Sequence, residues 1–106
     1  MSNIDFDIVI TPESKRREQH ESFLVGVSAW LDSTVKSRGY DNIVSCASYA
    51  NSTDAQFRAE AAAAVAWRDA VYRKLYELQA NAPEGVTTLE QVIDLLPQPQ
   101  AFGWPA

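Results

Sequence analysis

The side chains best suited to chemistry are few and scattered along this chain. One histidine, His20, and one cysteine, Cys46, stand far apart in the sequence. Nucleophilic catalysis needs a base within hydrogen-bond reach of the nucleophile, and no glycine-rich elbow surrounds any serine. A zinc site needs clustered His, Cys or carboxylate ligands, which one His and one Cys do not provide. Asp5 and Asp7 share the polar edge of one segment, and Glu13, Glu18 and Glu21 share a helix, but no second carboxylate cluster faces them, so calcium is not expected. No glycine loop of the phosphate-binding type is present. The residue types therefore point away from an enzyme, with no catalytic, cofactor-binding or metal-ligating set. His20, between Gln19 and Glu21, reads as a surface residue. Cys46, among small and apolar neighbours, reads as a buried, unreactive thiol that fits a reducing compartment.

The aromatic residues offer binding rather than catalysis. Trp30 and Trp67 fall on apolar helical stripes and read as core. Trp104 belongs to no stripe, so it either closes the domain's own core or anchors a partner. Tyr72 and Tyr76 are four residues apart on one helix face, with Arg73 and Lys74 between them in sequence. They read either as the edge of the core or as an amphipathic interface pair. Arg58, Glu60, Arg68 and Asp69 read as structural charges, with Arg68 and Asp69 expected to bond to the turn at Tyr40-Asp41-Asn42 or to solvent.

Those residues need elements to hold them. Ile4, Phe6, Ile8 and Ile10 alternate with Asp5, Asp7 and Val9, the period of a half-buried strand. Its backbone groups need a partner: another copy, a different protein, or the helices of the same chain. Thr11-Pro12-Glu13 starts a helix of roughly residues 12–38, with a stripe of Phe23, Val27, Trp30, Leu31 and Val35 and a stop at Gly39. Asp41 caps a short second helix with Ile43, Val44, Cys46 and Ala47 on its apolar side. A third helix, residues 54–80 with Ser52 or Thr53 as cap, buries Phe57, Ala64, Trp67, Val71, Leu75 and Leu78. Thr87-Thr88-Leu89-Glu90 reads as a capping box for a short helix that Pro97 stops. The tail 97–106 reads as extended, carrying Phe102 and Trp104. The expected architecture is all-α: two long antiparallel helices plus two short ones, in a single domain of 1–106 with an N-terminal arm (1–11), a helical body (12–96) and a C-terminal tail.

Composition narrows the class. The 106 residues carry a net charge of -5 with a pI of about 4.7, which disfavours a nucleic-acid partner. Lys15-Arg16-Arg17 is followed by Glu18 and Glu21, so it reads as a solvated helix face. No apolar run approaches the ~20 residues of a membrane span, and no basic-then-apolar leader opens the sequence, so a soluble, unexported chain is expected.

One set of blocks is distinctive in combination: Arg38-Gly39-Tyr40-Asp41, Ser45-Cys46-Ala47-Ser48-Tyr49, Phe57-Arg58-Ala59-Glu60, Ala66-Trp67-Arg68-Asp69, and Leu95-Leu96-Pro97 with Trp104-Pro105. In this order they resemble a small helical module of bacteriophage tail-fibre and tail-associated proteins, including tail-fibre assembly-like ones. Two positions depart from that pattern: Ala61 stands where a glycine is usual, and the order of Cys46 and Ala47 is exchanged. Both keep small residues in place. The resemblance implies no catalytic residues. It implies a virion tail protein, in the host cytoplasm during assembly, that binds fibre or baseplate proteins. Homo-oligomers are compatible with it; nucleic acid and membrane are not expected partners. The expected contact residues are Ile4, Phe6, Ile8, Ile10, Tyr72, Tyr76, Phe102 and Trp104. A transient fibre-assembly chaperone, or a small phage factor that inhibits a host protein, are the alternatives.

Overall fold

The structure is a computed structural model that describes residues 12–104, with side chains from residue 17 onward. The expected strand at 4–10 and the Thr11 cap lie outside the described residues. Among the described residues the fold is all-helical, without a strand. The elements are α1 (Pro12–Lys36), α2 (Ile43–Ala47), a 3-10 turn (Ser48–Asn51), α3 (Ala55–Ala80), α4 (Leu89–Leu95) and a second 3-10 turn (Pro99–Phe102).

α1 ends two residues before the expected Arg38. The backbone turns over Ser37–Gly39, and Gly39 adopts φ 93°, a left-handed conformation that costs glycine nothing sterically. Its N–H bonds to the Lys36 carbonyl at 2.9 Å, and the Tyr40 N–H returns to Val35 at 3.3 Å. The reversal aims Tyr40 back at the body.

The caps sit one or two residues later than the sequence reading placed them. Asn42, not Asp41, caps α2, accepting from the Ser45 N–H at 2.7 Å. Asp32 of α1 accepts from the Ile43 N–H at 2.9 Å, so a side chain from another helix satisfies a second free donor of this short element. Asp54, not Ser52 or Thr53, caps α3, accepting from Gln56 and Phe57 N–H groups at 2.9 and 3.0 Å. The capping box of α4 is Thr88 with Gln91, rather than Thr87 with Glu90. Both registers satisfy the pattern; the adopted one turns Leu89, Val92 and Leu96 inward.

The core is built from Val27, Leu31 and Val35 of α1, Ala64, Trp67, Val71 and Leu75 of α3, Ile43 and Cys46 of α2, and Val92, Leu96 and Trp104 from the C-terminal part. Trp30 stands edge-on to Trp67, with centroids 5.1 Å apart, a favoured aromatic arrangement. Gly26 lets α4 approach α1 closely: a Cβ there would lie 2.8 Å from Leu89 Cδ1 and 3.1 Å from Leu89 Cγ. Two stripe assignments are corrected. Phe57 is 42% exposed and Val44 74% exposed, because Phe57 precedes the region where α1 covers α3 and Val44 faces away from Ile43 and Cys46 on a helix of barely more than one turn.

The described part of the tail is folded, which corrects the extended reading. Pro97 leaves its carbonyl free to accept from Trp67 Nε1 at 2.8 Å. Gln98 Nε2 bonds back to the Ile93 and Leu96 carbonyls at 3.1 and 3.0 Å. The 3-10 turn and Gly103, at φ 87°, then carry Trp104 into the core, where it is 3% exposed. Burying the indole is what folds the segment, since a ring of that size is costly to leave in water.

Candidate functional site

Two places stand out, one at each end of the pair α1 and α3. The first is a charged knot. Glu60, on the second turn of α3, lies on the same stripe as Ala64, Trp67, Val71 and Leu75, and is 6% exposed. Its carboxylate accepts from Arg38 Nε at 2.9 Å and from the Tyr40 hydroxyl at 2.7 Å, both presented by the Gly39 reversal. Burial alone would raise the carboxyl pKa; the hydrogen bonds from Tyr40 and Arg38 and the Arg38 charge outweigh it, and the group is held below its usual value. Tyr40 is pushed well above the ordinary phenol range by burial and by donating to Glu60. Cys46 is pushed up to about 11 by burial, then by the Glu60 charge. A thiol so suppressed is not a nucleophile near neutral pH.

From this knot a run of aromatic rings leads to the surface. Trp104 lies 6.4 Å from Tyr40, Tyr40 5.6 Å from Tyr49, and Tyr49 5.5 Å from Phe57, centroid to centroid. Tyr49 and Phe57 are both partly open to water and form the outer end.

The second place is a groove of about 260 Å³ where α1, α3, α4 and the 82–86 loop diverge. Phe23, Leu75, Leu78, Val86 and Val92 make its apolar floor, and Gln19, His20 and Gln79 its polar rim. His20, expected on the open surface, is half-buried on this rim. Gln19 Nε2 donates to the Thr87 carbonyl at 3.3 Å and ties α1 to the loop.

The expected contact residues are not brought together. Ile4, Phe6, Ile8 and Ile10 lie outside the described residues. Tyr72 is half-buried against the core and Tyr76 is 60% exposed, with ring centroids 6.4 Å apart, so the pair straddles the edge of the body. Phe102 packs on the core and Trp104 lies inside it, so neither is presented as an attachment arm. Arg68 bonds its neighbour Asp69 at 3.0 Å rather than the Tyr40-Asp41-Asn42 turn. Among the described residues, no group of three or more His, Cys, Asp and Glu is placed to hold a metal ion. Among the described residues, no helix is long and apolar enough to cross a membrane.

The role of Glu60 was open to the sequence: it precedes Ala64 by four and Trp67 by seven, the period of the buried stripe. A carboxylate on such a stripe demands a cationic partner, and Arg38 was the unassigned cation beside a glycine turn. The groove had no such signal, since its shape depends on where the 82–86 loop runs. Comparison of the chain with protein-family models, curated proteins and solved structures found no match.

Proposed function

We propose that the chain is a non-enzymatic bacteriophage tail component that binds other tail proteins of the fibre or baseplate. One observation carries the reading: the blocks on which the resemblance rests bond to one another. Arg38 and Tyr40 of the first block meet Glu60 of the third, Trp67 of the fourth bonds Pro97 of the last, and the Trp104 ring lies tilted against Tyr40. Residues that recur together as a pattern here support a frame rather than a reactive cleft, as expected of a part that places contact surfaces. The contacts of 38 with 60, 30 with 67, and the groove shared by 19, 20 and 23 with 75 and 78 descend along one helix as they ascend along the other, which supports two long antiparallel helices.

On this reading Tyr76, Tyr72, Tyr49 and Phe57 are the aromatic contact residues of the body, and residues 4–10 add as a strand to a partner's sheet. Quantitative mass spectrometry of purified phage particles tests it: the chain is expected at a fixed copy number per tail. Its presence in infected lysate at high abundance, with none in particles, would refute the structural role.

A further inference from the structure

The groove between α1, α3 and the 82–86 loop is apolar in its floor and unfilled by any described side chain, and the sequence carries an apolar edge, Ile4, Phe6, Ile8 and Ile10, outside the described residues. We propose that this groove receives the Ile4, Phe6, Ile8 and Ile10 edge of the same chain, folded back along α1. This goes beyond the tail reading and holds for the isolated chain in any setting.

Size and reach favour this occupant. A cavity of about 150 Å³ takes a benzene ring, so about 260 Å³ takes the Phe6 ring and an aliphatic neighbour. α1 rises about 1.5 Å per residue, so the rim at His20 lies roughly 12 Å from Pro12 and Phe23 roughly 16 Å. Residues 4–10 in extended form cover roughly 20 Å, enough to pass the whole groove after a reversal at Thr11-Pro12. With the apolar edge inward, Asp5 and Asp7 face out. A partner that takes the arm as a strand then competes with the groove, and the arm is stored rather than loose before assembly.

The test uses the full chain. Asp7→Cys is paired with Gln79→Cys across the groove, and in a control with Val44→Cys on the exposed side of α2; a short bismaleimide is the probe. Cys46 is buried and does not compete. The expected result is an intramolecular cross-link at least tenfold faster for the Gln79 pair than for the Val44 pair, at a rate independent of protein concentration. Adding Phe6→Asp should reduce the Gln79 rate to the control level, leave helicity unchanged, and allow a fluorescent apolar dye into the groove. Equal rates for the two pairs, covalent dimers as the main product, or a rate indifferent to Phe6→Asp would each overturn the proposal. Because the measurement is made on isolated protein, it stands or fails independently of whether the chain is found in particles.

Discussion

Replacing Tyr40 by phenylalanine isolates the energetics of the knot at the Gly39 reversal. The substitution keeps the ring between Tyr49 and Trp104 and removes only the hydroxyl that donates to Glu60 at 2.7 Å. A hydrogen bond to a charged acceptor contributes about 1.5–3 kcal/mol, and its loss leaves a buried carboxylate with one partner fewer. Arg38 remains, at 2.9 Å, but its side chain is 37% exposed, so water can assist where the hydroxyl leaves and the lower half of that range applies. We expect a loss of about 2 kcal/mol at pH 7, or roughly 10 °C in Tm for a domain of this size. The effect carries a pH signature. The native state holds the Glu60 carboxyl below its usual value, so its ionised form is bound preferentially; that stabilisation is complete above the usual pKa of about 4.3 and is lost as pH falls through the native value. Wild-type stability should therefore drop below about pH 4.3, and Glu60→Gln should remove this part of the slope while costing stability at pH 7. The assay is urea unfolding followed by circular dichroism from pH 3 to 8. A Tyr40→Phe protein within 0.5 kcal/mol of wild type at pH 7, with an unchanged acid limb, would refute the reasoning.

Other outcomes follow from the packing. Gly26→Ala gains about 1 kcal/mol of helix propensity but forces the end of the Leu89 side chain aside, so thermal melts should show less than the full gain, and the shortfall should vanish when the substitution is made in a Leu89→Ala background. Trp104→Ala should cost about 3–5 kcal/mol, the range for large buried aromatics, and lower Tm more than any change at exposed Val25. Cys46, raised to about 11, should react with a thiol reagent at pH 8 at a rate set by unfolding and become fully labelled in urea. Tyr76→Ala should leave stability within about 0.5 kcal/mol of wild type and, on the proposed tail role, weaken co-sedimentation of the chain with phage particles.

The long elements and much of the core were legible because helical period is a strong local signal: Val27, Leu31 and Val35, and Ala64, Trp67, Val71 and Leu75, fall where the stripes put them. The cap positions were not, because Asp41 and Asn42, or Thr87 and Thr88, are both competent by residue type. The choice between them is made by which register turns Leu89 and Val92 toward α1, a tertiary matter. The tail was misread for a related reason. Two prolines and a glycine describe a segment without regular helix, but an accepting carbonyl at Pro97 under the Trp67 indole gives it a folded course that local composition does not encode. Of the candidate site, the Tyr72–Tyr76 spacing was visible, whereas the groove depends on the 82–86 loop, whose path no periodicity fixes.

The bond from Trp67 to Pro97 and the seating of Trp104 also order events in time. Synthesis runs from the N-terminal end, so α1, α2 and α3 are all made before the pieces that finish the interior. Until Leu96 and Trp104 emerge from the ribosome, the nascent helices hold an open apolar seam, the condition in which chains stick to one another or to chaperones. The turns around Pro97 and Trp104 therefore act as a latch: whatever α1 and α3 achieve earlier, cooperative closure waits for them.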